Sequence, residues 1–464
     1  MGVRQVLVHG LNVLGGILLA RTLSPADFGV YAIVGFLLAF LAATSDLGLG
    51  AGLVRQPREP DEHDLTSVLA VQHVLTATMG AILWSAAPWL RAAYRLPEAA
   101  VWMFRVLALA IPVTAFQTVS SIRLERRLEF PRLAAIEVAQ ALVYNVAVVG
   151  LVWRGAGILS FALALLARSA TGALLAVRLS PWPVGWRWDR VRIRSLLRFG
   201  IPYQGISFVS LLKDSITPVL VAALLGTAAV GYINWAVMVG AYPVLALFAL
   251  HRVYLPSFAR LQEHPEELAR FVENVIRMTN AIVAPLAVVT LVLIEPITRL
   301  VFGEKWMPAL PLFYLLWAAN LFVPTATPVM GLLNALGRPR VTFGFAVLWM
   351  AGTWLLAAPL LLRIGALGFA LANLMVQFSN LWLYRVAQRH VSFRILRVVA
   401  LPWSVALATG LILRWTAQWH PPATLTALVV LAASALVLYG VAMAVASPRL
   451  IRQALALQED LRGR

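Results

Sequence analysis

Cysteine is absent from this 464-residue chain, so disulfides and thiolate metal sites are excluded. Charge is scarce: Asp, Glu, Lys and Arg make up 12% of residues, against about a quarter in soluble domains. Acidic residues are scarcer still, 20 against 38 basic ones. The phosphate-loop pattern GxxxxGK[ST], the zinc pattern HExxH and the nucleophile elbow GxSxG are missing, and no outward loop carries paired carboxylates. Neither ATP hydrolysis nor covalent catalysis is therefore expected, and no metal site is expected. The outward loops are also too short to build a catalytic domain, which argues against a membrane glycosyltransferase or polymerase.

What the chain has is apolar length. Hydrophobic residues reach 61%, and the mean hydropathy is +0.82. Stretches of about 17 to 25 apolar residues, enough to cross roughly 30 Å of hydrocarbon, recur about fourteen times between residues 3 and 446. The fold class expected is an all-α polytopic membrane protein. The first stretch could pass for a signal peptide, but Arg21 and a short turn lead straight into a second span, so it reads as a retained helix.

The net charge of +18 would suggest nucleic acid in a soluble protein. With the amino terminus inside, 27 Lys and Arg fall on the inner side, eight on the outer side and three, Arg105, Arg168 and Lys213, within spans. That bias places both termini in the cytoplasm and accounts for the charge without nucleic acid. The inward segment 178–198 holds Trp182, Trp186 and Trp188 followed by DRVRIRSLLR. Indole rings beside arginines suit the headgroup layer, so this stretch is expected to lie along the inner membrane surface and join two halves.

The halves announce themselves by repetition. FALALL at 161–166 returns as FALANL at 369–374, and the same offset of 208 pairs Gly157 with Gly365 and Pro131-Arg132 with Pro339-Arg340. A second register, offset by 202, pairs Ala20, Leu23, Ala26 and Gly29 with Ala222, Leu225, Ala228 and Gly231. Six spans separate each repeat from its copy, so the two copies enter the membrane in the same direction. The expected organisation is a first lobe at 1–177, a basic connecting segment at 178–198, a second lobe at 199–390, two accessory spans at 391–446 and a polar, amphipathic tail at 447–464.

Span seven carries the most informative polar pattern. Tyr203, Ser207, Ser210, Asp214 and Thr217 share one helical face, and Lys213 borders it. Polar groups at that depth face protein or water, which makes the stripe a candidate substrate path or, in the plainer reading, a seam between packed helices. Pro218 should kink the helix nearby. Arg168 in span six either pairs with Glu137 in span five or faces a cavity and attracts an anion. Asp46, near the inner end of span two, caps a helix or turn or takes part in gating; Arg21 and Glu137 join it as candidates for gating or ion coupling. His9, Asn12, Gln72 and His73 read as hydrogen-bonded groups between helices.

Several stretches in order resemble the bacterial polysaccharide transporter family, the oligosaccharide-lipid flippases of the MOP superfamily that also holds multidrug and toxin extrusion antiporters. They are ARTLSPADFGVY from Ala20, DLGLGAGLVRQ from Asp46, RFGIP from Arg198, Asp214 with the following LLGTAAVGY, and LPSFARLQ from Leu255. The resemblance spans roughly residues 3 to 390. Departures are a nearly absent leader before span one, and Pro218 in the run that follows the span-seven Asp. The resemblance implies a V-shaped pair of six-helix lobes in the bacterial cytoplasmic (inner) membrane. It implies alternating access and a polyprenyl-pyrophosphate-linked oligosaccharide as substrate for O-antigen, exopolysaccharide or capsule synthesis. A polysaccharide polymerase and glycosyltransferases would be its pathway partners. In that setting Lys213 and Arg168 would attract the pyrophosphate, while Tyr203, Ser210, Asp214 and Thr217 would contact sugar or a coupling Na+ or H+; no cofactor is expected. A cation-coupled drug antiporter would share the fold, but span one has no carboxylate.

Overall fold

A computed structural model describes residues 2–50, 53, 61–181, 185–245, 247, 254 and 257–447. Within helices it leaves undescribed the side chains of His9, Asp46, Tyr203 and Ser207, among others, while Trp182 and the tail beyond Ser447 lie outside the described residues. All regular structure among the described residues is helical. Among the described residues, twelve segments are long and apolar enough to cross a membrane, and the apolar end Gly10–Thr22 of the first helix is a shorter one. One of the twelve, Phe208–Leu245, breaks at Gly226, whose φ of 81° and ψ of 177° fit no helix. Fourteen spans is thus an approximate count.

Contacts divide the chain into two units, residues 1–231 and 232–464. The first holds α1 (Gly2–Thr22), α2 (Pro25–Asp46), α3 (Glu62–Ala93), α4 (Ala99–Arg126), α5 (Phe130–Trp153), α6 (Leu159–Leu179), α7 (Arg190–Asp214) and the first turns of α8 (Ala222–Leu245). Within it α4 packs on α3 and α6, α5 on α6 and α1, and α2 on α7 and α3. The helix starts follow from short polar caps. Ser24 accepts from the Asp27 amide, Asp61 and Asp64 form a reciprocal capping box, and Asp189 accepts from the Val191 and Arg192 amides. The basic run DRVRIRSLLR therefore forms the opening turns of α7, beginning at Arg190. Instead of the kink expected near Pro218, a wider π-helical turn occupies Thr217–Val221, where the proline cannot donate to the α-helical ladder, and the break comes at Gly226.

The second unit contains the rest of α8, then α9 (Pro265–Ile297), α10 (Leu310–Asn320), α11 (Val323–Ala335), α12 (Pro339–Ile364), α13 (Ala366–Gln377), α14 (Asn380–Gln388), α15 (Ile395–Trp419) and α16 (Leu425–Ala446). Here α9 packs on α11, α15 and α16. Polar pins fasten the last two helices to it. Trp403 Nε1 donates to Asn280 Oδ1 at 2.9 Å, and the Tyr439 hydroxyl donates to the Ala281 carbonyl at 3.0 Å. Inside hydrocarbon such bonds have no water competing for them.

Several residue pairs of the sequence repeat share local features. Gly157 and Gly365 both adopt positive φ, 55° and 61°, and Pro131 and Pro339 both sit in the first turn of a helix. Phe161 and Phe369 are both buried. In the 202 register, Gly29 and Gly231 meet within the first unit. A Cβ on Gly29 would strike the carbonyl oxygen of Thr227, and one on Gly231 would strike that of Pro25, one turn before its partner glycine. Since Pro25 and Thr227 are also 202 apart, the crossing of α2 and α8 is locally two-fold. At the other end of α2, Gly48 and Gly200 approach just as closely. Only glycine lets two backbones come this near.

Candidate functional site

The opening turns of α7 have two opposite faces. On one, Ile193 and Leu196 join Leu49, Leu53, Leu65 and Leu69 in a buried apolar cluster. The same side is pinned by Arg192, whose guanidinium reaches three carboxylates. Nη1 donates to Asp61 at 2.7 and 2.8 Å and to Asp64 at 2.8 Å, and Nε lies 3.1 Å from Asp189. Hydrogen bonds from Arg192 to Asp61 first, and then to Asp64, raise its pKa above the ordinary value. Other cations on this side are also engaged. Arg123 donates to the Pro181 carbonyl, Arg126 to the Leu53 carbonyl, and Arg187 lies 2.6 Å from the His63 ring.

The opposite face is different. Arg190, Arg194 and Arg198 recur every four residues, about 6 Å apart along the axis and within about 80° of arc. All three are exposed, and none has a hydrogen-bond or ion-pair partner among the described residues. With Trp188, Ile193, Leu197 and Ile201 they line a groove of about 780 Å³. A row of uncommitted guanidiniums beside an apolar floor can take an anion joined to an apolar stem. The four-residue period was legible in DRVRIRSLLR. The helical period also puts Arg192 about 200° from Arg190, on the other face; what the sequence did not show is that this face meets Asp61 and Asp64.

The remaining sequence candidates fall in several places. Lys213 and Asp214 stand at the end of α7 and pair with each other, Nζ to Oδ1 at 3.3 Å, with both side chains partly exposed. Ser210 is exposed on the same helix, and Thr217 opens the π-helical turn. Tyr203 is on α7 and Asp46 ends α2, their side chains outside the description. Arg21 is exposed in the last turn of α1, and Glu137 is half-buried on α5.

Arg168 is exposed on α6, its guanidinium 5.9 Å from the ring centre of Tyr144, within cation–π range. Tyr144 is hydrogen-bonded to Tyr31, whose ring packs 5.2 Å from Phe161. One turn from Tyr144, Gln140 donates to Gln117 at 2.7 Å, and Asn145 donates to Asn12 at 3.4 Å. Asn12 thus does join two helices, as its type suggested. The two tyrosines were missed by sequence reasoning; the clue available was Gln140 and Tyr144 one turn apart in an apolar helix. His73 was expected to hydrogen-bond between helices; its Nδ1 bonds the Leu69 carbonyl on its own helix instead, and its contact with another helix is the edge-on packing against Phe116.

Many apolar helices, an internal repeat and a row of cations that have no partner among the described residues, set beside an apolar floor, define a multi-span membrane transporter, not a catalyst. The fold is similar to that of the lipid II flippase MurJ in its inward closed conformation, with a TM-score of 0.81 over 97% of this chain and 99% of that one, at 14% identity. By sequence the chain is 25% identical to the lipopolysaccharide biosynthesis protein WzxC of Escherichia coli (strain K12), over 82% of this chain and 77% of that protein. It is 26% identical to the succinoglycan biosynthesis transport protein ExoT of Rhizobium meliloti (strain 1021), over 74% and 69% respectively. Residues 18–311 match the family described as polysaccharide biosynthesis protein, and the chain belongs to that family.

Proposed function

We propose that this protein is a flippase. It carries an oligosaccharide linked through pyrophosphate to a polyprenyl lipid from the cytoplasmic to the outer leaflet of the bacterial cytoplasmic membrane by alternating access, with both termini cytoplasmic. A glycan headgroup cannot cross hydrocarbon unaided, because each hydroxyl would lose its hydrogen bonds to water. The observation that carries the reading is the free arginine face of α7. Guanidiniums at about 6 Å intervals match a phosphoanhydride passed from one to the next, and the apolar side chains of Leu197 and Ile201 beside them suit the start of a prenyl chain. Family membership supports the substrate class, and the charge bias favours the cytoplasmic side for this face, where such lipids are assembled. An antiporter could share the fold, so the site decides, and α1 contains no carboxylate to bind a coupling cation.

The test uses purified protein in sealed vesicles loaded with a pyrophosphate-linked glycolipid and, separately, with a cationic dye. Time-dependent exposure of the glycan to an added glycosidase, without dye efflux, is the expected result. Dye efflux under an ion gradient with no glycolipid movement would reject the flippase in favour of an antiporter. Lys213 belongs further along the same path. Lys213→Ala should abolish polymer export in cells while leaving protein abundance unchanged, as measured by immunoblot; normal export would remove Lys213 from the path.

A further inference from the structure

A second cationic cavity lies in the other unit, far from α7 in sequence. It holds about 820 Å³, bounded by the end of α9, the π-helical turn Thr298–Phe302, α10, the end of α15 and the loop at 421–423. Its polar groups are Glu295, Arg299, Tyr314, Arg414 and Gln418. Glu295 and Arg299 stand about one turn apart on one wall, and Arg414 and Gln418 one turn apart on α15. The widened turn at Thr298 carries Arg299 at the cavity edge. Neither arginine has a hydrogen-bond or ion-pair partner among the described residues, and both are exposed.

The lining below these groups is apolar: Leu291 and Val292 precede Glu295 by about one turn. Beside them on α15, Trp415 and Trp419 are 61% and 70% exposed with ring centres 6.2 Å apart, the placement of indoles at a membrane interface. A ligand that satisfies this cavity has an anionic head and an apolar stem. Two arginines against one carboxylate leave a single positive charge, which matches a phosphodiester carrying one negative charge better than a phosphate monoester or a pyrophosphate.

We propose that this cavity is a headgroup site for an anionic phosphodiester lipid, a phospholipid of the leaflet it faces. This gives α15, pinned to α9 by Trp403, a role as one wall of a lipid-binding site. The assignment does not depend on glycolipid transport, because lipid binding is measured without any substrate.

The experiment is native mass spectrometry of the full-length protein in detergent, titrated with short-chain phosphatidylglycerol, phosphatidylcholine or farnesyl phosphate. Phosphatidylglycerol should bind most tightly. Its apparent Kd should rise about tenfold or more in Arg299→Gln/Arg414→Gln, which removes the charge from both donors; tenfold corresponds to about 1.4 kcal/mol. Glu295→Gln should bind it at least as tightly as the unaltered protein, and this variant together with Arg414→Gln alone reads the site should the double variant fail to fold. Equal binding of phosphatidylcholine, unchanged binding in the arginine variants, or a preference for farnesyl phosphate would each overturn the proposal.

Discussion

Arg190→Gln/Arg194→Gln/Arg198→Gln should reduce glycolipid movement in vesicles by about 100-fold. Glutamine keeps hydrogen-bonding capacity but removes the charge. The row repeats at about 6 Å, so two guanidiniums engage a phosphoanhydride at once. Losing two charge-assisted bonds of roughly 1.5 kcal/mol each gives about 3 kcal/mol, close to two orders of magnitude. Single substitutions should cost much less, because a neighbouring arginine remains within reach. Arg192→Gln is the informative control. Its guanidinium is already committed to Asp61, Asp64 and Asp189, so this variant should lower the thermal midpoint and protein yield while the surviving folded protein binds carrier pyrophosphate normally. A triple variant that flips glycolipid at the original rate would take the arginine face out of the path.

Gly231→Leu should leave little or no transport, and the paired alanine variants show why. At the crossing of α2 and α8, the first side-chain atom added to Gly29 or Gly231 meets a backbone carbonyl of the opposing segment, not the yielding end of a side chain. The helices must separate, and overpacking of this kind typically costs about 1–3 kcal/mol. Gly29→Ala and Gly231→Ala should each lower the thermal midpoint by several degrees. The double variant should be only slightly worse than either single one, because a crossing already forced apart by the first methyl admits the second. Fully additive losses would show that the two glycines do not share one contact.

How much of this was legible beforehand depended on the range of the interaction. Spans follow from local hydropathy, and a disturbance of the helix near Pro218 from its ring, though the π-helical form it takes was not read. The repeat was readable because Gly157 and Gly365, or Pro131 and Pro339, have backbone requirements that only a few residue types meet. The division of labour among arginines was not readable. Whether Arg192 or Arg194 is free depends on Asp61 and Asp64, more than 120 residues away in the chain. The sequence placed the basic segment along the inner membrane surface as a connector, and among the described residues contacts engage one side of its α7 portion. The cluster of Tyr31, Tyr144 and Arg168 was hidden for the same reason, since it draws one residue from each of three helices.

The glycine contacts at the two tips of α2 are made of main chain alone. No ion pair must be stripped of partners to part them, and no long side chain is frozen when they close. A contact of that sort contains no titratable group, so neither pH nor salt acts on it directly. Their spacing is set by main chain on both sides, so any side chain placed at Gly29, Gly48, Gly200 or Gly231 is felt by the backbone itself.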